Sequence, residues 1–135
     1  MRRNMLNAML RRAVSRNPSK DALVQGARRI SYSELEIQAA RLAGALKDCH
    51  VGEGDTVAVW LPNGPEFVVA MFALARVRAI MLPVYPAATG EELRRLLADT
   101  PVQLLLGDGQ HASLSREIAP ELRVLAVQDL SLIHI

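Results

Sequence analysis

The sequence predicts a three-layer α/β fold, with a mainly parallel sheet and helices on both faces. Three observations lead there. First, TVAVWL (56–61), AIMLPV (79–84), VQLLLG (102–107) and RVLAVQ (123–128) are apolar almost throughout. Strands buried on both faces have that composition, whereas alternation marks a strand with one wet face. Second, helix-like stretches separate these segments, which is the order of parallel βαβ units. Third, the 135 residues are 50% hydrophobic and 22% charged, enough for one domain with a real core. Aromatic residues make up 4%, so that core must be aliphatic.

The elements follow in order. Arg2, Arg3, Arg11, Arg12 and Arg16 precede the first acid, Asp21, with Met5, Leu6, Met9, Leu10 and Ala13 between them. This is a basic amphipathic helix. A surface helix capping the domain is favoured over a mitochondrial transit peptide, which has a similar composition. ALVQGARRISY (22–32) reads as two short strands around a turn at Gly26. The helix after it is the best marked in the chain. Ser33 and Glu36 match a capping box, Tyr32 and Ile37 have hydrophobic-staple spacing, and Leu35, Ala39, Leu42 and Leu46 share one face.

VGEGD (51–55) is a turn into the first apolar strand. Pro65 suits the first turn of the next helix, where its missing N–H has no partner to lose. That helix, from Glu66 to about Val77, is apolar nearly all round and is expected to be buried. Thr89 and Glu92 form a second capping box before EELRRLLAD, and HASLSREI (111–118) reads as a short helix between the last two strands.

Several functions are set aside. Sixteen Lys and Arg against fourteen Asp and Glu give a net charge of +2, too slight a surplus to imply nucleic acid. The single cysteine, Cys49, allows no internal disulfide and no cysteine-rich metal site, and fits a reducing cytoplasm. The longest apolar run, Phe67 to Ala75, stops at Arg76, far short of the roughly 20 residues of a membrane span. No signal-peptide pattern follows the first arginines. His50, His111 and His134 show no metal-ligand spacing and are expected to be solvated or at edges.

Two glycine turns could be phosphate loops. WLPNGPEF (60–67) has the strand–turn–helix outline but one glycine, two prolines and no lysine. Pro65 removes an N–H where a phosphate needs one, and Glu66 would repel an anion. It reads as a structural turn. In LLLGDGQHASL (104–114), Gly107, Gly109 and Ala112 match G-x-G-x-x-[GA], and Asp129 lies about 20 residues on, where a ribose-binding acid stands in dinucleotide folds. Asp108 between the glycines, a short helix and a late strand all count against it.

The order of motifs carries a resemblance. SYSEL (31–35), GEGDTVA (52–58), LPNGPEF (61–67), LPVYP (82–86) and EEL (91–93) occur in sequence over roughly residues 4 to 110. The chain closely resembles the N-terminal stretch of the AMP-forming adenylate-forming ligases, the family of acyl-CoA synthetases. That resemblance implies the first subdomain of the large domain of such an enzyme, over residues 1–130. It implies a full-length parent that activates a carboxylic acid with ATP and Mg²⁺ and passes the acyl group to coenzyme A. The family's Ser/Thr/Gly-rich phosphate loop, its ribose-binding aspartate and its C-terminal lysine are not found before Ile135, so the chain alone is expected to be inactive, with no catalytic, cofactor or metal residues of its own.

Two departures stand out. Where the family usually has Ala-Gly before an apolar strand, this chain has Val77 and Arg78, which suggests a differently built turn. SLIHI (131–135) ends on an apolar run with no cap or charged tail, resembles translated sequencing-adapter read-through, and is set apart as a candidate non-native tail. Two rival readings stay open: a nucleotide-binding α/β domain using Gly107, Gly109, Ala112 and Asp129, and a non-catalytic fragment whose exposed strand edges self-associate or bind a partner.

Overall fold

A computed structural model describes residues 2–127. Eleven elements follow one another: α1 (Arg2–Arg16), β1 (Asp21–Gln25), β2 (Arg28–Ser31), α2 (Tyr32–Asp48), β3 (Thr56–Trp60), α3 (Pro65–Val77), β4 (Ile80–Pro83), α4 (Gly90–Asp99), β5 (Leu104–Gly107), α5 (Gly109–Ile118) and β6 (Val124–Ala126). The strands β3 to β6 form one parallel sheet in the order β4-β3-β5-β6. The hairpin β1–β2 is a separate antiparallel pair, turning at Gly26, whose φ of 59° is the left-handed value glycine adopts without strain.

The strand order dictates the layers. From β3 the chain moves outward to β4, then reverses across β3 to β5, and continues to β6. Crossovers of one hand must then put α3 on one face and α4 and α5 on the other. The core divides in that way. Val57, Val59, Leu104 and Leu106 point toward a cluster with Leu35, Leu42 and Leu46 of α2 and Val69, Ala73 and Leu74 of α3. Ala58, Trp60 and Leu105 point the other way, to Leu93 of α4, with Leu96, Leu97 and Ile118 around them. Alternate residues of the same strand serve opposite cores, so the apolar runs cannot alternate. The two edge strands are the exceptions: Ile80 of β4 is 44% exposed and Ala126 of β6 is exposed, since among the described residues no strand lies beyond either.

The helix ends show where local sequence was ambiguous. Both Ser31-x-x-Glu34 and Ser33-x-x-Glu36 fit a capping box, and the structure uses the first. The Ser31 hydroxyl accepts from the Glu34 N–H at 3.1 Å, and the Glu34 carboxylate accepts from the Ser31 N–H at 3.3 Å. The expected cap at Ser33 is thus two residues late. The earlier start brings Ile30 and Leu35 to the staple positions, and both are buried in the same core, in place of Tyr32 and Ile37. It frees Glu36 to meet Arg76 of α3, Nη1 to Oε1 at 2.6 Å. The cap at Thr89 and Glu92 is as the sequence predicts.

Two helices end in Schellman turns without glycine. In α2, Val51 N–H donates to the Leu46 carbonyl and His50 N–H to that of Lys47, with His50 at φ 62°. In α3, Ala79 N–H donates to Leu74 and Arg78 N–H to Ala75, with Arg78 at φ 61°. Arg78 therefore builds the left-handed turn that glycine would build, rather than a different one, and accepts roughly 1–2 kcal/mol of backbone cost. Among the described residues, no helix is long and apolar enough to cross a membrane.

Candidate functional site

In an open parallel sheet, ligands bind outside the carboxyl ends of the strands, where neighbouring connections leave in opposite directions. Here that point lies between β3 and β5. The chain leaves β3 through residues 61–64 toward α3, and leaves β5 through Asp108 toward α5 on the other face.

The residues there lock on to one another. Trp60 is buried, and its indole N–H donates to the Tyr85 carbonyl at 3.1 Å. The His111 Nε2 lies 3.2 Å from the Pro86 carbonyl, which can only accept, so Nε2 carries the proton. The two rings pack with centroids 4.5 Å apart and planes tilted by 32°. His111 Nδ1 sits 3.0 Å from Asp108 Oδ1 but makes no hydrogen bond to it. The sequence reading expects His111 to be solvated or at an edge; the structure half-buries it between Trp60, Pro86 and Asp108. Periodicity carries no sign of this, because Trp60 and His111 come from elements 51 positions apart. His50 does stand exposed.

Gly107 packs tightly at the same point. A Cβ there would lie 3.3 Å from the Trp60 carbonyl oxygen and 3.4 Å from the Ala112 nitrogen. Its role is close approach of β5 to β3 and α5. Ala112 is buried in α5, and Gly109 opens that helix. Asp129 lies outside the described residues. The Asp108 carboxylate accepts the His111 backbone N–H at 2.8 Å, so the helix fills its own anion position.

The turn after β3 behaves similarly. Gln25 donates to the Asn63 carbonyl at 3.2 Å, and Arg28 holds Glu66 through two bonds of 3.3 and 2.7 Å. WLPNGPEF is thus a scaffold turn that anchors the β1–β2 hairpin to the start of α3. Pro65 at the first helical position offers no N–H. At α2 and α4 the Ser31 and Thr89 hydroxyls accept the Glu34 and Glu92 N–H groups, and in α2 Tyr32 and Ser33 donate to the Lys20 and Pro18 carbonyls. At α5 the Asp108 carboxylate takes the His111 N–H in the same way. No cluster of three metal-ligating side chains occurs among the described residues.

Comparison with known proteins places this geometry. The sequence profile described as AMP-binding enzyme matches residues 10–133. Acetyl-coenzyme A synthetase 2 of Zygosaccharomyces bailii is 41% identical over 96 residues, 67% of this chain and 14% of that protein. Triostin synthetase I of Streptomyces triostinicus is 36% identical over 129 residues, 92% of this chain and 24% of that protein. This chain thus spans 14% and 24% of the length of these two curated relatives. The crystal structure of VinN superposes with a TM-score of 0.84 at 22% identity, covering 93% of this chain and 34% of that one, a likeness of fold.

Proposed function

Because the chain belongs to the family of AMP-binding enzymes, we propose that residues 1–130 are the N-terminal part of the adenylate-forming domain of a longer, cytoplasmic ligase. In that protein, the carboxylate of a small organic acid attacks the α-phosphorus of ATP, bound with Mg²⁺. The products are an acyl-adenylate and pyrophosphate. The thiol of coenzyme A then displaces AMP to give the thioester. The observation that supports this reading most is the match of 124 consecutive residues, 10–133, to the family profile. Similarity to an acetyl-coenzyme A synthetase supports coenzyme A as the acceptor.

The residues of this chain have a structural part in that reaction. At the β3–β5 crevice α5 starts under the Asp108 carboxylate and α3 starts with Pro65 and Glu66 and no side-chain cap. Both starts disfavour a phosphate, so ATP, Mg²⁺ and the acyl group are assigned to residues outside 2–127. The β3–β5 end forms a rigid wall, with Trp60, His111 and Gly107 packed against one another. A rival use of Gly107, Gly109, Ala112 and Asp129 for a dinucleotide is disfavoured by the Asp108 carboxylate at the helix start.

Thioester formation tests the proposal. The longer protein is incubated with ATP, Mg²⁺, coenzyme A and a panel of carboxylic acids, and products are read by mass spectrometry. An acyl-CoA product from at least one acid is expected. AMP release with transfer to no free thiol would remove coenzyme A from the account, and no acid-dependent AMP release would overturn the ligase reading.

A further inference from the structure

On the outer helical layer, away from the carboxyl ends of the strands, a cleft of about 390 Å³ opens between α1, α2 and α3. Four cationic side chains line it: Arg11 from α1, Lys47 from the last turn of α2, Arg76 from the last turn of α3, and Arg78 from the cap of α3. They come from three elements distant in sequence. The floor is small, with Gly44 leaving open space where any larger side chain would project. Asn7 lines the cleft, and its buried side-chain oxygen meets no hydrogen-bond donor.

Helix-dipole complementarity accounts for a cation in the last turn of α2 and of α3. It does not account for Arg11 in the body of α1, nor for the hollow between them. Arg76 has a carboxylate partner in Glu36. Among the described residues, Arg11 and Lys47 have no ion-pair partner. Like charges gathered in one cleft oppose one another, and a multivalent anion relieves all of those repulsions together. Arg78 adds a second observation. It holds a left-handed backbone where glycine is better suited, and its side chain lines the cleft. The Asn7 amide, turned by half a rotation, presents two donors to the same space.

We propose that this cleft is an anion site for a phosphoryl group, with Arg11 and Lys47 as its principal ligands and Arg76, Arg78 and Asn7 completing it. The volume lies within the range of small-ligand sites, roughly 300–1,000 Å³, and the cations can surround a di- or trivalent group. The site is separate from the adenylation proposed above, and its test needs no turnover.

Two probes distinguish a free phosphate from a lipid headgroup: inorganic pyrophosphate followed by calorimetry, and phosphatidylcholine vesicles with and without phosphatidic acid followed by co-sedimentation. Both are run with the 135-residue chain at physiological ionic strength, where diffuse surface attraction is screened. Arg11→Gln with Lys47→Gln empties the cleft of two charges at exposed positions. Arg12→Gln with Arg16→Gln removes the same charge from the other side of α1, at positions lining a different cleft. Gly44→Leu fills the cleft, keeps every charge and improves the helix. Thermal unfolding confirms that each variant is folded.

Saturable binding of either probe is expected, weakened about tenfold or more by the Arg11/Lys47 pair and by Gly44→Leu, and unchanged by the Arg12/Arg16 pair. The responding probe names the source of the phosphoryl group. Absence of saturable binding to both probes, equal weakening by both charge pairs, or indifference to Gly44→Leu would each overturn the proposal.

Discussion

Trp60 and His111, from opposite sides of the β3–β5 crevice, stack with ring centroids 4.5 Å apart, and each donates a ring N–H to a backbone carbonyl of the segment following β4, at Tyr85 and Pro86. Three connections that leave the sheet in different directions are thereby tied at one point. His111→Ala removes the ring contact and leaves the Pro86 carbonyl without that donor. A loss of about 1–3 kcal/mol is expected. Trp60 is the sole tryptophan, so its emission should shift to the red in the variant as water reaches the indole. Unchanged emission together with unchanged stability would show that the stack bears no load.

His50 and Arg78 hold left-handed backbone in their Schellman turns. His50 is exposed and caps α2 by its backbone alone. His50→Gly should stabilise the chain by about 1 kcal/mol, the relief of left-handed strain less the added freedom of the unfolded chain. Gly54→Ala, at φ 83°, should destabilise it by a similar amount, although nothing lies within 4 Å of the added carbon. Urea unfolding of the two variants measures both signs at once.

The second capping box sets a pH dependence. Glu92 is held below its ordinary pKa of 4.5, first by the hydrogen bond from the Thr89 backbone and then by that from the Thr89 side chain; desolvation opposes them, and the charge of Arg95 adds the smallest contribution. The unfolded chain therefore binds this proton more tightly than the folded one. The contribution is complete above pH 4.5 and is lost as pH falls through the lower folded value. Glu92→Gln should cost stability at neutral pH, and the gap to the parent should close on acidification through that window. A gap independent of pH would show that the carboxylate charge is immaterial to the cap.

The legible and illegible parts of this fold differ in kind. Leu104, Leu105 and Leu106 are apolar without alternation because they face two cores, and sequence alone conveys that. The choice between Ser31 and Ser33 as the α2 cap was not legible locally. It turns on burying Ile30 and on freeing Glu36 for Arg76, both decided by packing. The left-handed turn at Arg78 was hidden because propensity disfavours it, while the exit into β4 requires it. At the crevice, Asp108 reads in the sequence as an obstacle to phosphate, and in the structure its carboxylate caps α5. The meeting of Trp60 with His111 depends on strand order, which no local pattern encodes.

The central claim is that this chain is a wall of an adenylate-forming domain and holds no phosphate of ATP itself. Carboxylate-dependent exchange of labelled pyrophosphate into ATP measures it most directly, with the 135-residue chain and the longer protein assayed side by side on the same acids. The account predicts exchange by the longer protein with at least one acid and none by the 135 residues. Exchange catalysed by the 135 residues alone would contradict it.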